Sequence, residues 1–304
     1  MKTRYLLPHS LKLPGWIILG IGIVLGIFWL IFMDNIKFPT YMPALYNNDF
    51  DQNNRGWLVM ITNGSIVDEI AGLFLIVGSL FVALSKEKVE DERFMKIRLD
   101  SLVWAVIVNS IVLIISLFMV YGLAYIYIMS ISLVSLPLLF IFKFKYSLIR
   151  EPDTEKKYQF THPLRAVGWI LLILGIIYWL LLMRFHNIHI YANMPALYND
   201  GFVQGNNGWF KIVPHESISN ELIALFIILG SLFVALSKEK IEDEFIMKIR
   251  LESLLWALIA NNILLIICIF SFYGMTFLAV MLYSTISFPL MFLIKYIITL
   301  RRGY

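Results

Sequence analysis

Ser101-Leu-Val-Trp-Ala-Val-Ile-Val-Asn-Ser-Ile-Val-Leu-Ile-Ile-Ser-Leu-Phe-Met-Val120 runs on without a single charge. About 20 mostly apolar residues are needed for a helix to cross the hydrocarbon core, so this stretch reads as a membrane span. Seven more read the same way: Gly15–Met33, Ile66–Ser85, Leu123–Phe142, Val167–Met183, Ile218–Ser237, Ser253–Phe272 and Met275–Ile294. In two of them the strictly apolar part is short, Ile70–Leu84 and Leu222–Leu236, and the flanking charges are what require the chain to cross there. The first span follows Lys2, Arg4 and Lys12; it is longer than a secretory h-region and no A-x-A-like site follows, so it reads as uncleaved.

Composition agrees. Of 304 residues, 60% are hydrophobic and 15% charged, with a mean hydropathy of +0.78, against about 45–50% and about 25% in soluble domains. That balance excludes a soluble enzyme, a nucleic-acid reader and a disordered tail. The single cysteine, Cys268, excludes an intramolecular disulfide and a Cys-based metal site. The expected fold class is an all-α integral membrane protein with eight transmembrane helices.

Charge placement sets the orientation. Lys and Arg concentrate in cytoplasmic loops. With the N-terminus inside, only Lys37, Arg55, Arg184 and Lys211 of the 25 Lys and Arg fall outside. Both termini are therefore expected in the cytoplasm, and the membrane is read as the cytoplasmic (inner) one.

The chain also repeats itself. Met42-Pro-Ala-Leu-Tyr-Asn47 recurs as Met194–Asn199, and Gly78-Ser-Leu-Phe-Val-Ala-Leu-Ser-Lys-Glu-Lys88 recurs unchanged as Gly230–Lys240. Each copy holds four spans, an even number, so the two point the same way and are expected to form parallel repeats. The reading is residues 1–142 as the first repeat, 143–165 as a charged cytoplasmic linker with Pro152 and Pro163, and 166–304 as the second. Divergence is uneven. Identity is dense from Gly78 to Ala105 and sparse across Leu123–Phe142, so something holds the second span, the inner loop and the start of the third.

Met1-Lys-Thr-Arg-Tyr-Leu-Leu-Pro-His9, Gly15-Trp16, Ser85-Lys-Glu-Lys-Val-Glu-Asp-Glu92 and Lys96-Ile-Arg-Leu-Asp-Ser-Leu-Val-Trp-Ala105 resemble small uncharacterised four-span membrane proteins of Bacteroidota-type bacteria. The chain looks like two of them fused in tandem. The resemblance implies neighbouring genes for small helix-turn-helix regulators, hence a cytoplasmic regulator protein as a partner. It implies no activity, cofactor or ligand.

Several positions invite chemistry. Glu69 and Glu221 sit near the outer ends of the second and sixth spans. Ionisable groups at membrane depth serve ion or proton paths; the plainer reading is first-turn capping, with Ser65 and Ser217 as N-caps. Asn109 and Asn261 fall mid-span, followed by Ser110 and Asn262, and either line a ligand or pore site or bond between helices. Ser79-x-x-x-Ala83, Ser231-x-x-x-Ala235 and Gly22-x-x-x-Gly26 allow close helix approach, the last keeping only Gly175 in the second copy. Pro137 and Pro289 predict kinks. The Met-Pro-Ala-Leu-Tyr-Asn stretches, with Trp57 and Trp209, suit a loop on the outer interface or a ligand-binding lid. His186-x-x-His189 with His215 is a weak metal pattern confined to one copy. No H-E-x-x-H, G-x-S-x-G or P-loop pattern occurs.

The inner blocks Lys86–Asp100 and Lys238–Glu252 balance positive against negative charge, unlike a polybasic lipid patch. Pairs at i,i+4, such as Lys88–Glu92 and Glu92–Lys96, favour helix throughout. Lys86, Lys88, Glu92, Lys96, Arg98, Lys238, Lys240, Glu244, Lys248 and Arg250 are the expected partner-facing set. Two functions follow. The one the largely apolar spans favour is a non-catalytic membrane protein, not an enzyme and without cofactor or direct nucleic-acid contact, that presents this duplicated helical element to a cytoplasmic partner. The other is a channel or transporter with a path between the repeats. They differ in one feature: transport needs a polar cavity between helices at midplane, whereas presentation needs only a dry bundle.

Overall fold

The computed structural model describes residues 5–32, 39–48, 55–88, 91–150, 160–185, 188–201, 207–239 and 244–303. Among these the order is α1 (Lys12–Phe32), β1 (Pro39–Asn48), β2 (Gly56–Ser65), α2 (Val67–Leu84), α3 (Glu92–Met119), β3 (Val120–Gly122) and α4 (Leu123–Ile149). Then follow α5 (Pro163–Arg184), β4 (Tyr191–Asp200), β5 (Gly208–Ser217), α6 (Ser219–Leu236), α7 (Glu244–Ser271), β6 (Phe272–Gly274) and α8 (Met275–Gly303). All eight long helices have the length and apolarity to cross a membrane. The fold defines a class: a multi-pass membrane protein.

The helices are uneven in length for a physical reason. At 1.5 Å per residue, the 28 residues of α3 and of α7 reach well beyond a ~30 Å core. Both begin at a glutamate about nine residues before the apolar stretch, so the charged block ahead of it is only partly helical. Lys86–Lys88 are not helical, and the helix opens at Asp91, whose carboxylate accepts from the Phe94 N–H at 3.0 Å. The expectation of one continuous helix across Lys86–Asp100 is corrected accordingly: Ser85 is extended, with ψ 139°, and Lys88 and Glu92 do not share a helix.

Glycines set how the helices meet. α1 lies on α2, and α5 on α6. A Cβ on Gly78 would stand 2.4 Å from the Leu19 amide nitrogen, and one on Gly22 2.8 Å from that of Leu75. Gly230 meets Leu172 in the same way, at 2.8 Å. Gly26 has only a side-chain tip at 3.9 Å, which explains why the second copy needs Gly175 but no counterpart of Gly26. Ser79 and Ser231 are buried, as expected of a small face, each donating back into its own helix at 3.0 Å. α2 packs on α1, α4 and α7, and α6 on α5, α8 and α3. The centre is built by α3, α4, α7 and α8. α1 and α5 turn Ile17, Val24, Ile31, Ile170 and Leu180 outward, as lipid-facing helices do.

The stretches read as outer loops are β-hairpins. β1 pairs antiparallel with β2, and β4 with β5, each with a bulge, between Thr40 and Met42 and between Ala192 and Met194. Each hairpin gains a third strand from far along the chain: β6 runs parallel to β1, and β3 parallel to β4. Trp57 packs against Tyr46 and Trp209 against Tyr198 with tilted rings, both at 4.9 Å between centroids. Leu58 and Phe210 adopt positive φ (55° and 54°) and are 82% and 80% exposed, giving each hairpin an apolar rim of the kind that suits a membrane interface.

Gly78→Ala is expected to lower stability by about 1–3 kcal/mol, because its Cβ meets backbone that cannot move aside. Gly20, with nothing within 4 Å of a Cβ, should accept alanine with a gain of up to about 1 kcal/mol. Thermal unfolding of the two variants in detergent checks the contrast.

Candidate functional site

A cavity of about 30 Å³ lies where α3, α4, α7 and α8 meet. Asn109, Asn261 and Asn262 line it, together with hydroxyls from α4 and α8. The structure thus brings two of the four sequence-selected intramembrane residues, Asn109 and Asn261, to one place. Asn109 Oδ1 lies 2.5 Å from Ser135 Oγ, and Asn261 Oδ1 2.5 Å from Ser287 Oγ. These are the interhelical bonds the plainer reading foresaw, yet the amides also face open space.

Pro137 and Pro289 belong to the same cavity. A proline inside a helix removes the N–H that would have bonded the carbonyl four residues back. The carbonyls of Leu133 and Thr285 lose their helical donor in this way, and both residues line the cavity. Sequence reading found these prolines as kinks; their link to the asparagines needed the packing of four helices.

Glu69 and Glu221 lie apart from it, in the first turns of α2 and α6. First-turn acids suit the helix dipole, but the expected serine caps do not form. Ile66 and Ile218 occupy the N-cap positions with no side-chain cap, and Ser217 Oγ instead meets His189 Nδ1 at 3.3 Å. The Ser65 side chain lies outside the described residues. Each glutamate keeps a buried Oε2 without a hydrogen-bond partner, as do the Tyr125 and Tyr273 hydroxyls. Tyr273 is pushed up by burial and then by Glu69 and Asp68, and Tyr121 is pushed up to about 12 by burial, then by Glu221 and Glu216. Each of these carboxyls therefore lies near at least one phenol from the other half of the chain. Of the histidine pattern, His186 lies outside the described residues, and the His215 backbone N–H donates to Asn193 Oδ1 at 3.1 Å.

Two arginines of the charged block prove to be scaffold. Arg98 and Arg250 are 1% exposed, which corrects their assignment to a partner-facing surface. Arg98 donates to the Ala83 and Ser85 carbonyls at 3.0 and 3.4 Å and lies 4.9 Å over the Phe144 ring. Arg250 donates to the Ser237 carbonyl at 3.1 Å and lies 5.7 Å over Tyr296. Each guanidinium closes the C-terminal end of α2 or α6, where carbonyls lack helical donors.

The chain before each first helix completes the closure. Leu7 donates to the Leu84 carbonyl and accepts from the Lys86 N–H, both at 2.9 Å; Phe160 does the same with Leu236 and Lys238. Lys12 pairs with Glu87 at 2.5 Å, and Arg165 pairs with Glu239. Of the partner-facing set, Lys88, Glu92, Lys96, Lys238 and Glu244 are exposed, Lys86 and Lys248 are half-buried, and Lys240 lies outside the described residues. Comparison with family models, with curated proteins and with solved structures finds no match for this chain.

Burial alone would lift the Glu87 carboxyl, but the Lys12 hydrogen bond and the charges of Lys12, Lys145 and Arg98 hold it below its ordinary 4.5. A lowered folded-state value means stabilisation that is present above that pH and lost as pH falls through the folded value. The acid limb of a Tm-against-pH curve should therefore be shallower in Glu87→Gln. At constant pH, Arg98→Lys should cost about 1.5–3 kcal/mol through lost charged hydrogen bonds, whereas exposed Lys96→Arg should stay within about 0.5 kcal/mol.

Proposed function

We propose that this chain is a transport protein of the cytoplasmic membrane, with a path for a small polar solute or ion between two parallel four-helix repeats. The observation that carries the reading is the polar cavity where α3 and α4 meet α7 and α8. A bundle meant only to present a surface has no use for uncompensated polar groups at midplane, where each costs free energy. The repeats are residues 1–142 and 166–304, joined by the linker 143–165, and the pseudo-two-fold axis runs near the membrane normal through the cavity. On this reading the four-span proteins that each repeat resembles would build the same cavity as dimers. Glu69 and Glu221, at the hairpin end, stand at the outer approach.

The experiment is flux in liposomes. Vesicles holding the purified chain should pass a small solute or ion that empty vesicles retain, and Asn262→Leu, which fills the cavity with hydrocarbon, should abolish the flux. Absence of flux for ions and for small neutral solutes alike would sink the reading. Orientation is checked separately in intact cells, in a Cys268→Ala background. Leu58→Cys and Phe210→Cys should react with an impermeant thiol reagent, and Lys88→Cys should not.

A second reading keeps the cytoplasmic regulator protein as partner, docked on the inner block. The exposure of Lys88, Glu92, Lys96, Lys238 and Glu244 favours it. Reversing the charges of Glu92, Lys96 and Glu244 together separates the two: transport survives if the cavity carries the function, and a partner-dependent phenotype is lost if the block does.

A further inference from the structure

We infer that the midplane cavity is a water site, built to hold one or two water molecules and to refuse ions of either sign. Its use rests on the transport reading, whose permeant is then a neutral molecule of water's size; its chemistry stands on the cavity alone. Size comes first. About 30 Å³ accommodates one to two waters, and has no room for a sugar, an amino acid or a nucleobase. Charge comes second. No Asp, Glu, Lys, Arg or His is among the described residues that line the cavity. An ion there would lose its hydration and gain no counter-charge in return.

The hydrogen-bonding groups decide between water and an ion. The Asn109 and Asn261 Oδ1 atoms are held by the hydroxyls of Ser135 and Ser287, each at 2.5 Å. What these two amides leave for the cavity is N–H. The hydroxyl protons of Ser132, Ser284 and Thr285 are committed to the carbonyls of Met129, Met281 and Leu282, all at 2.7 Å. What these three side chains leave is lone pairs. A bare cation would meet the amide protons, and an anion the hydroxyl oxygens. Water carries two donors and two acceptors, so it answers both sets. The set also follows the repeat. Asn109 and Asn261 occupy equivalent positions in the two copies, and so do Ser132 and Ser284. Donors and acceptors therefore come in pairs, one member from each copy, and Thr285 adds a further acceptor. An amide N–H at membrane depth that found no acceptor would be costly, so water at this place serves the fold as well as the path.

Two measurements test this. Crystals of the chain soaked in rubidium bromide should show water density within hydrogen-bond distance of the Asn109 and Asn261 Nδ2 atoms, with no anomalous peak from either ion in the cavity. Liposomes holding the chain should shrink faster than empty ones under a sucrose gradient while retaining trapped Na⁺ and Cl⁻. Ser132→Ala, Ser284→Ala and Thr285→Val together remove three acceptors whose only protein bonds lie within their own helices, and should slow the protein-dependent shrinkage by about tenfold or more. Thr285→Val alone, which keeps the side-chain shape, should slow it by about fivefold, so the prediction survives a triple variant that fails to fold. A rubidium or bromide peak in the cavity, a cavity without density, or shrinkage unchanged in the Thr285→Val protein overturns the water site. The two proposals fail separately. Release of either ion with its peak in the cavity sinks the water site and leaves transport standing, whereas ordered water without flux of any kind keeps the site and sinks transport.

Discussion

Buried guanidinium closing the end of a short helix is the interaction on which the rest of this structure depends. Backbone carbonyls at membrane depth have no water to bond, so each must find a donor within the protein. α2 and α6 have 18 residues each, about 27 Å at 1.5 Å per residue. That is slightly short of the core, and it leaves their last carbonyls to be satisfied by other parts of the chain. Arg98 and Arg250 supply several donors from the following helix, and Leu7 and Phe160 supply one each from the segment before the preceding helix. Three pieces of chain are thereby fixed together, and the ion pairs Lys12–Glu87 and Arg165–Glu239 tie the same pieces from outside. Any change in this corner disturbs three elements at once. That accounts physically for the near-identity of the two copies from the second span into the third, without calling on a partner.

At the opposite end the problem is solved across the two halves of the chain. Gly122 adopts φ +80°, and a Cβ there would lie 2.5 Å from Asp200 Oδ1, so a side chain is excluded where the α3–α4 turn crosses the second hairpin. The space goes to the Asp200 carboxylate, which accepts from the Ala124 N–H at 2.9 Å and caps α4. β3 on β4 and β6 on β1 make equivalent ties. The arginine end thus locks neighbours in sequence, whereas the hairpin end locks opposite halves, and the cavity lies between the two kinds of lock.

Much of this was legible in the sequence, and the exceptions share a cause. The spans were readable because hydrocarbon demands an apolar run, and Gly22 with Gly175 because close approach admits no substitute. The hairpins were hidden by Pro43, which argues against a strand interior. In the fold it pairs opposite Met60 next to a bulge, where the ladder is already irregular. Met42 and Ala44 are buried while Tyr41 and Leu45 are exposed, the period-two signal that the proline masked. Arg98 was misread because sequence counts a charge without its surroundings; among Lys88, Glu92 and Lys96 it looks solvated, yet only its guanidinium reaches inward. The cavity was half legible: Asn109 and Asn261 stood out, but that Pro137, Pro289 and Asn262 join them is a fact of four helices meeting.

The cavity is not symmetric, and the asymmetry bears on what it holds. Asn109 matches Asn261, Ser132 matches Ser284, and Pro137 matches Pro289 at the 152-residue offset. Ser110, however, faces Asn262 as its counterpart, and Leu133 faces Thr285. Two identical four-span chains would surround a two-fold axis with equal ligands on both sides. Here one flank gains the unpartnered Asn262 oxygen and the Thr285 hydroxyl, while the other carries a smaller hydroxyl and a leucine. Holding both halves in one chain is what permits this division of labour, because in a homodimer every substitution on one flank would appear on the other.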